Sequence, residues 1–205
     1  MKITFPIAIC LLATTSARAD ITLEQDMLLN GVSSRTTMWI KGDKVRTDNG
    51  STSSVIIDTS TGDMTTLMHE QKMAVKMNTK QLQALAAQAP GGNQTELPET
   101  KVTATGQKET IDGKKCEIYL SENQGMVVKM WITKDYPGVE KLREQLKVMA
   151  KLAAPNAPKQ PDVPGIALKT EFEQQGMKFT TKLISLTDGP VSEDKFVVPA
   201  DYKVP

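Results

Sequence analysis

IALKTEFEQQGMKFTTKL, residues 166–183, is the stretch whose reading decides the fold. Ile166, Leu168, Thr170 and Phe172 alternate with Ala167, Lys169, Glu171 and Glu173. A period of two puts alternate side chains on opposite faces of a strand, one dry and one wet. Gln174-Gln175-Gly176 supplies a hairpin turn, after which Met177, Phe179, Thr181 and Leu183 share a face again. Asp188-Gly189-Pro190 closes the second strand. The reading is an antiparallel hairpin with one buried side.

The same alternation fills the rest of the chain. Ile21, Leu23, Met27 and Leu29 lie on one side of a first strand, and Thr36, Met38 and Ile40 on one side of a second. Gly42-Asp43 turns the chain into Lys44–Thr47, and Val55-Ile56-Ile57 stops at Asp58. Met64–Met68, Met73–Met77, Lys101–Ile111, Cys116–Leu120 and Met126–Thr133 continue the series, with turns at Thr61-Gly62-Asp63, Asp112-Gly113 and Asn123-Gln124-Gly125. Many short strands with hairpin-length gaps predict a meandering antiparallel sheet of about 10–11 strands.

Two stretches break the pattern. Thr79–Ala89 is helical in period, with Leu82, Leu85, Ala86 and Ala89 on one side, Asn78 able to cap its start and Pro90-Gly91-Gly92 to end it. In the second, Pro137 suits a first helical turn, and Val139, Leu142, Leu146, Met149 and Leu152 form a stripe. Pro155, Pro158, Pro161 and Pro164 then enforce an extended linker. Narrow apolar stripes need a partner, and the dry face of the sheet is the natural one. The expected fold is therefore α+β, a sheet long enough to curl with two helices on its inner face.

The first residues read as an export signal. Lys2 gives the charge, Ile3–Ala13 a mostly apolar stretch, and Ala17-Arg18-Ala19 a cleavage site with small residues at the positions a signal peptidase reads. The run is too short for a bilayer, which takes about 20 apolar residues. Residues 1–19 are expected to be removed, leaving a single domain over 20–205 in the periplasm or secreted. Cys10 as a lipid-anchor cysteine is rejected, because Ile9 stands where a small residue is wanted and Leu11-Leu12-Ala13 carry the apolar core past it. Loss of Lys2 and Arg18 takes the basic residues from 25 to 23 against 24 acidic ones. That near-neutral balance offers nucleic acid no electrostatic footprint.

Catalytic parts are scarce. The one histidine, His69, stands at a hairpin tip before Gln71-Lys72 and reads as a solvated turn residue. A single histidine makes zinc hydrolysis improbable, and no spacing of carboxylates marks an acid/base pair. Cys116 shares a strand face with Ile118 and Leu120 and reads as a buried core thiol. No catalytic residue, metal or cofactor is expected.

Methionine is the unusual feature: ten of the 11 remain beyond residue 19. Met64 and Met68 share a face, as do Met73 and Met77, and Met126, Val128 and Met130. Thioether side chains are soft fillers of irregular space and recur where varied apolar partners are accepted. The plain reading is core packing. The functional one is a pliable cavity lined by Met38, Ile40, Met64, Met68, Met73, Met77, Met126, Val128 and Met130, closed over by Leu142, Leu146 and Met149, and able to hold a lipid chain or an apolar peptide. Copper(I) is a third reading, opposed by geometry: residues four apart on one strand are about 13 Å apart, which leaves only cross-strand pairs with His69 beside them.

Several pieces, in order along the chain, carry a resemblance: Trp39-Ile40-Lys41-Gly42-Asp43-Lys44-Val45-Arg46, Ile56-Ile57-Asp58 with Gly62-Asp63-Met64-Thr65-Thr66-Leu67, and Lys72-Met73. Gly113-Lys114-Lys115-Cys116-Glu117-Ile118-Tyr119, Trp131-Ile132-Thr133-Lys134-Asp135 and Phe196-Val197-Val198-Pro199-Ala200-Asp201-Tyr202 complete it. The chain resembles a family of bacterial exported proteins of unknown function grouped with the LolA/LolB-like lipoprotein-localisation fold. The resemblance implies a half-barrel sheet with helices over its concave side, in whose hollow LolA-like proteins receive acyl chains of lipoproteins or related lipids. It implies no defined ligand. LolB-type proteins are lipid-anchored, and this chain lacks that cysteine. The function expected is a non-enzymatic periplasmic binder or carrier of an apolar ligand. The alternative is an envelope protein–protein interaction or sensing module without lipid.

Overall fold

The computed structural model describes residues 20–81, 84, 100–123, 125–150, 163–174 and 176–205, the side chains of 148–150 excepted. One sheet of 11 strands organises them. In chain order the strands are β1 (Ile21–Leu29), β2 (Val32–Lys41), β3 (Lys44–Asn49), β4 (Ser53–Asp58), β5 (Asp63–Met68), β6 (Met73–Asn78), β7 (Lys101–Ile111), β8 (Lys114–Asn123), β9 (Met126–Thr133), β10 (Ile166–Gln174) and β11 (Met177–Asp188). In space they run β6-β5-β4-β3-β2-β1-β11-β10-β9-β8-β7. Two antiparallel meanders, β1–β6 and β7–β11, are thus sewn together by the antiparallel pair β1·β11. The sheet is open, with β6 and β7 at its edges.

Register shows why the alternating pattern works. Directly opposed residues share a face. Ile21, Ile40, Val45, Ile57, Met64 and Met77 stand opposite one another in turn across β1 to β6. Leu23, Met38, Thr47, Val55, Thr66 and Val75 form the next row of the same face. Ile21, Ile40 and Val45 are buried, and they join Leu23, Cys116, Ile118, Trp131, Leu142, Leu168, Leu183 and Leu186 in one core cluster. Each such side chain contributes about 1.5–3 kcal/mol by leaving water. A one-residue slip would turn the whole set outward, which is how the pattern fixes the pairing.

Two hairpins show the turn chemistry most plainly. Asn30 and Gly31 have φ of 49° and 86°, and Asp112 and Gly113 have φ of 48° and 76°. Both two-residue loops carry the left-handed pair that matches strand twist, and Asn-Gly and Asp-Gly reach it at least cost. At the predicted Gln174–Gly176 turn, Gln174 pairs with Met177 and Gly176 has φ of 76°. Three irregularities break the ladders: between β1 and β11 near Gln25, between β10 and β9 near Leu168, and between β7 and β8 from Ala104 to Lys108.

The helix Val139–Ala150 starts later than Pro137 suggested. Gly138 intervenes at φ 81°, and its carbonyl accepts the Leu142 amide, so the proline stands before the first turn rather than in it. Val139 and Leu142 are buried, and Leu146 packs against the core cluster. At the other expected helix, Thr79, Lys80, Gln81 and Ala84 are helical. Asn78 caps it as anticipated: its Oδ1 accepts the Lys80 amide at 3.0 Å, while Gln81 Oε1 accepts the Asn78 amide at 3.1 Å, a reciprocal box. Leu82, Leu85, Ala86 and Ala89, the prolines at 155, 158 and 161, and the leader 1–19 lie outside the described residues. Among the described residues no helix is long and apolar enough to cross a membrane.

Candidate functional site

The candidate lining residues fall on one face of the sheet. Met38 and Ile40 on β2, Met64 and Met68 on β5, and Met73 and Met77 on β6 belong to the rows that contain Ile21, Leu23 and Gln25. Met64 stands opposite Met77, and Met68 opposite Met73. On the other side of β1, Leu29, Phe179, Phe172 and Val128 are opposed in succession, which carries the same face across β11 and β10 to β9. Met126, Val128 and Met130 therefore belong to it too. Ile40 is fully buried and Met130 nearly so, whereas Met38, Met64, Met68, Met73, Met77, Met126 and Val128 are only half-buried.

A shared face is not yet a cluster. Ile40, Met38, Leu142 and Leu146 meet in or against the core cluster. Met64, Met68, Met73 and Met77 lie towards the β6 edge, and Met126, Val128 and Met130 near the β7 edge. Eight strand steps separate β6 from β9, about 38 Å along the sheet at ~4.8 Å per step. Met149 lies on the helix with its side chain outside the described set.

From one row of this face, sequence reasoning took only Val128 into the candidate lining. Val32, Leu29, Phe179, Phe172, Val128, Ser121 and Val102 oppose one another across seven strands from β2 to β7. The two phenylalanines stack at 4.6 Å with planes 4° apart. The signal was present, since Phe172 and Phe179 were both on the dry face of the opening hairpin, but only register across β1·β11 links them to Leu29.

On β3 and β4 the opposite face carries a polar network. Arg46 donates to Asp48 through Nε at 2.6 Å and Nη2 at 3.3 Å, to Ser54 Oγ at 3.0 Å, and to the Lys195 carbonyl at 2.8 Å. Ser54, at 0% exposure, lies 2.8 Å from His69 Nε2, and His69 Nδ1 lies 2.5 Å from the Tyr202 hydroxyl. With Arg46 donating into the serine oxygen, the serine hydrogen is free for Nε2, and Nδ1–H then meets the tyrosine oxygen. His69 is thus not the solvated turn residue expected: it is half-buried with both ring nitrogens engaged. Sequence separation hid this, because Tyr202 comes from the far C-terminus.

That C-terminal segment straps the outer face and the β6 edge. Ala74 donates to the Lys203 carbonyl and Lys203 to the Lys72 carbonyl, each at 2.8 Å, and Lys72 pairs with Asp201 at 2.8 Å. Lys195 and Arg46 lie over the Trp39 ring at 5.0 and 5.8 Å. An exposed edge strand invites foreign pairing, and the strap occupies part of this one. The network is structural in form: Ser54 is sealed, so its pairing with a histidine offers no nucleophile to a substrate. It also holds His69 away from the paired methionines, which removes the third ligand that a copper(I) site would have used.

Cys116 is buried as expected, at 2% exposure. Burial pushes its thiol pKa up, and the charges of Glu109 and Asp112 push the same way. The result is an unreactive protonated thiol. No group of three or more His, Cys, Asp or Glu that could hold a metal ion occurs among the described residues. An open depression of about 450 Å³ lies on the outer face, lined by Leu28, Asn30, Gly31, Lys169, Glu171, Lys178 and Thr180.

No curated protein matches the chain in sequence. Among solved structures, PNGF-II aligns over 91% of this chain and 30% of its own, at 11% identity and a TM-score of 0.42. The MucA/MucB complex of Pseudomonas aeruginosa aligns over 91% of this chain and 58% of its own, at 12% identity and a TM-score of 0.47. A LolA superfamily protein from Nitrosomonas europaea aligns over 87% of this chain and 89% of its own, at 9% identity and a TM-score of 0.32. The chain thus spans about a third of PNGF-II and somewhat over half of the MucB structure's chain. A family profile, by contrast, covers nearly the whole sequence, residues 10–202, and the chain belongs to that family, the domain of unknown function DUF4412.

Proposed function

We propose that this protein is a non-enzymatic periplasmic binder or carrier of an apolar ligand, a lipid or a lipoprotein acyl chain, held against the methionine-bearing face of a half-barrel sheet beneath its helices. The observation that carries the reading is the incomplete burial of that face. Met64 opposite Met77 and Met68 opposite Met73 are half-buried on the side that elsewhere forms the core. Soft side chains left partly open on a core face suit an apolar chain of variable shape. The export signal at residues 1–19, with cleavage after Ala19, is the basis for placing the protein in the periplasm.

Native mass spectrometry of the protein purified from its own periplasm is the test. Co-purified lipid, together with displacement of a fluorescent fatty acid that is lost in Met64→Lys and Met73→Lys, supports the reading. A protein that is consistently empty and ignores fluorescent fatty acids and lipopeptides refutes it.

A specific observation also favours the interaction module. β7, Lys101–Ile111, is exposed along most of its length and, among the described residues, is paired on one side only, with β8. Such an edge can accept a partner strand. Recovery of a protein partner without lipid, lost on Thr103→Pro, would favour this function over the first.

A further inference from the structure

The hairpins at one end of the sheet carry exposed apolar side chains on both faces, next to polar turn residues. The β1–β2 turn at Asn30-Gly31 and the β10–β11 turn at Gly176 adjoin: the Asn30 amide donates to the Lys178 carbonyl, and the Lys178 amide to Asn30 Oδ1. The β8–β9 turn at Gly125 lies at the same end, because Val128 opposes Phe172, which opposes Phe179, which opposes Leu29. Here stand Met27 at 41%, Leu28 at 40%, Leu29 at 38%, Val32 at 73%, Met177 at 38% and Val127 at 46% exposure. Alternation puts Leu29, Val32 and Met177 on the core-side face, and Leu28 and Val127 on the outer one.

That two-sidedness selects the occupant. A ligand in the methionine-lined hollow, or a second copy stacked face to face, would cover one face of the tips and leave Leu28 or Val127 wet. An apolar medium into which the tips project covers both. Charge agrees with this: Arg35 is paired with Asp26 at 2.8 Å, Lys169 with Glu171 at 2.7 Å, and Lys178 stands opposite Glu173. The rim therefore presents balanced charge, which neither requires nor repels an anionic surface.

We propose that this rim is a lipid-surface docking site, inserting Leu28, Leu29, Val32 and Val127 shallowly into a bilayer without need of anionic headgroups. The site is separate from the hollow of the preceding reading. Flotation of the purified protein with phosphatidylcholine vesicles, alone and with about one quarter phosphatidylglycerol, tests it. Binding to both, little changed by salt, is expected. Leu28→Ser with Val127→Ser, both on the outer face, should weaken partitioning about tenfold, because less than half of each side chain is left to bury, while leaving fatty-acid displacement and the thermal midpoint as they were. A tryptophan at position 32 (Val32→Trp) should shift its emission to the blue on vesicles even if the double variant folds poorly. Absence of flotation, binding only to the anionic vesicles, or binding indifferent to the outer-face substitutions overturns the proposal. So does a rim-dependent dimer in sedimentation, which would assign the tips to a second copy.

Discussion

Ser54→Ala should separate a structural network from a catalytic one. The serine is fully buried, its oxygen receives Arg46 at 3.0 Å, and it meets His69 Nε2 at 2.8 Å. Removing the hydroxyl leaves Nε2 facing a methyl group, and a buried polar atom without a partner costs about 1–3 kcal/mol. Arg46 loses one bond but keeps Asp48 and the Lys195 carbonyl, so little is added from that side. The change deletes one oxygen and opens little cavity. About 2 kcal/mol is the expected loss, which for a domain of this size lowers the midpoint by about 4–8 °C. Urea unfolding should show the lower midpoint with an unchanged slope. Tyr202→Phe removes the other hydroxyl on the ring, and the two substitutions should couple by about 0.5 kcal/mol or more in a double-mutant cycle, because both act through His69. A loss under about 0.5 kcal/mol, or strict additivity, would refute the view that the C-terminal strap is fastened through this histidine.

The remaining predictions concern single groups. Cys116, buried and with its pKa raised by burial, should resist alkylation near pH 8 about a hundredfold more than in the denatured chain, as followed by mass spectrometry; equal rates in both states would place the thiol at the surface. Asp58 has its carboxyl pKa lowered first by the Ser60 hydroxyl and then by the Ser60 and Thr61 amides. A lowered folded value means that its contribution is whole above the ordinary aspartate range and is lost as pH falls through the depressed value. Between about pH 6 and pH 3 the urea midpoint should therefore fall less steeply in Asp58→Asn, which keeps an acceptor for the turn but does not titrate; parallel curves would remove Asp58 from the acid response.

What the sequence made legible was whatever alternation and turn chemistry encode locally. Asp112-Gly113 and Gln174–Gly176 marked hairpins because their conformations follow from two or three residues, and Asn78 marked a helix start for the same reason. Pro137 misled by two residues, since Gly138 could take a left-handed conformation that no periodicity announces. Nothing local marks β1·β11, the pair that turns two meanders into one sheet, because its partners lie at opposite ends of the chain. The Phe172–Phe179–Leu29 row and the Tyr202–His69 contact were hidden for that same reason. Candidate residues could thus be assigned to faces of their own strands, while the joining of those faces required long-range register.

That register also separates the work of the two faces. On the outer side, Arg46, Ser54, His69 and Tyr202 spend directional bonds on fastening the last residues over β4–β6, and Leu67 and Ala74 lie fully buried there. Hydrogen bonds of that kind fix one arrangement and tolerate little displacement. On the inner side, the Met64–Met77 and Met68–Met73 pairs have no directional demands and remain half-buried. A sheet held rigid from behind can keep a soft, half-buried front in shape. If the strap is what permits that, Ser54→Ala should loosen fatty-acid binding as well as stability, although Ser54 lies on the face away from any ligand. Unchanged binding in a destabilised Ser54→Ala protein would show that the methionine face keeps its shape without support from behind.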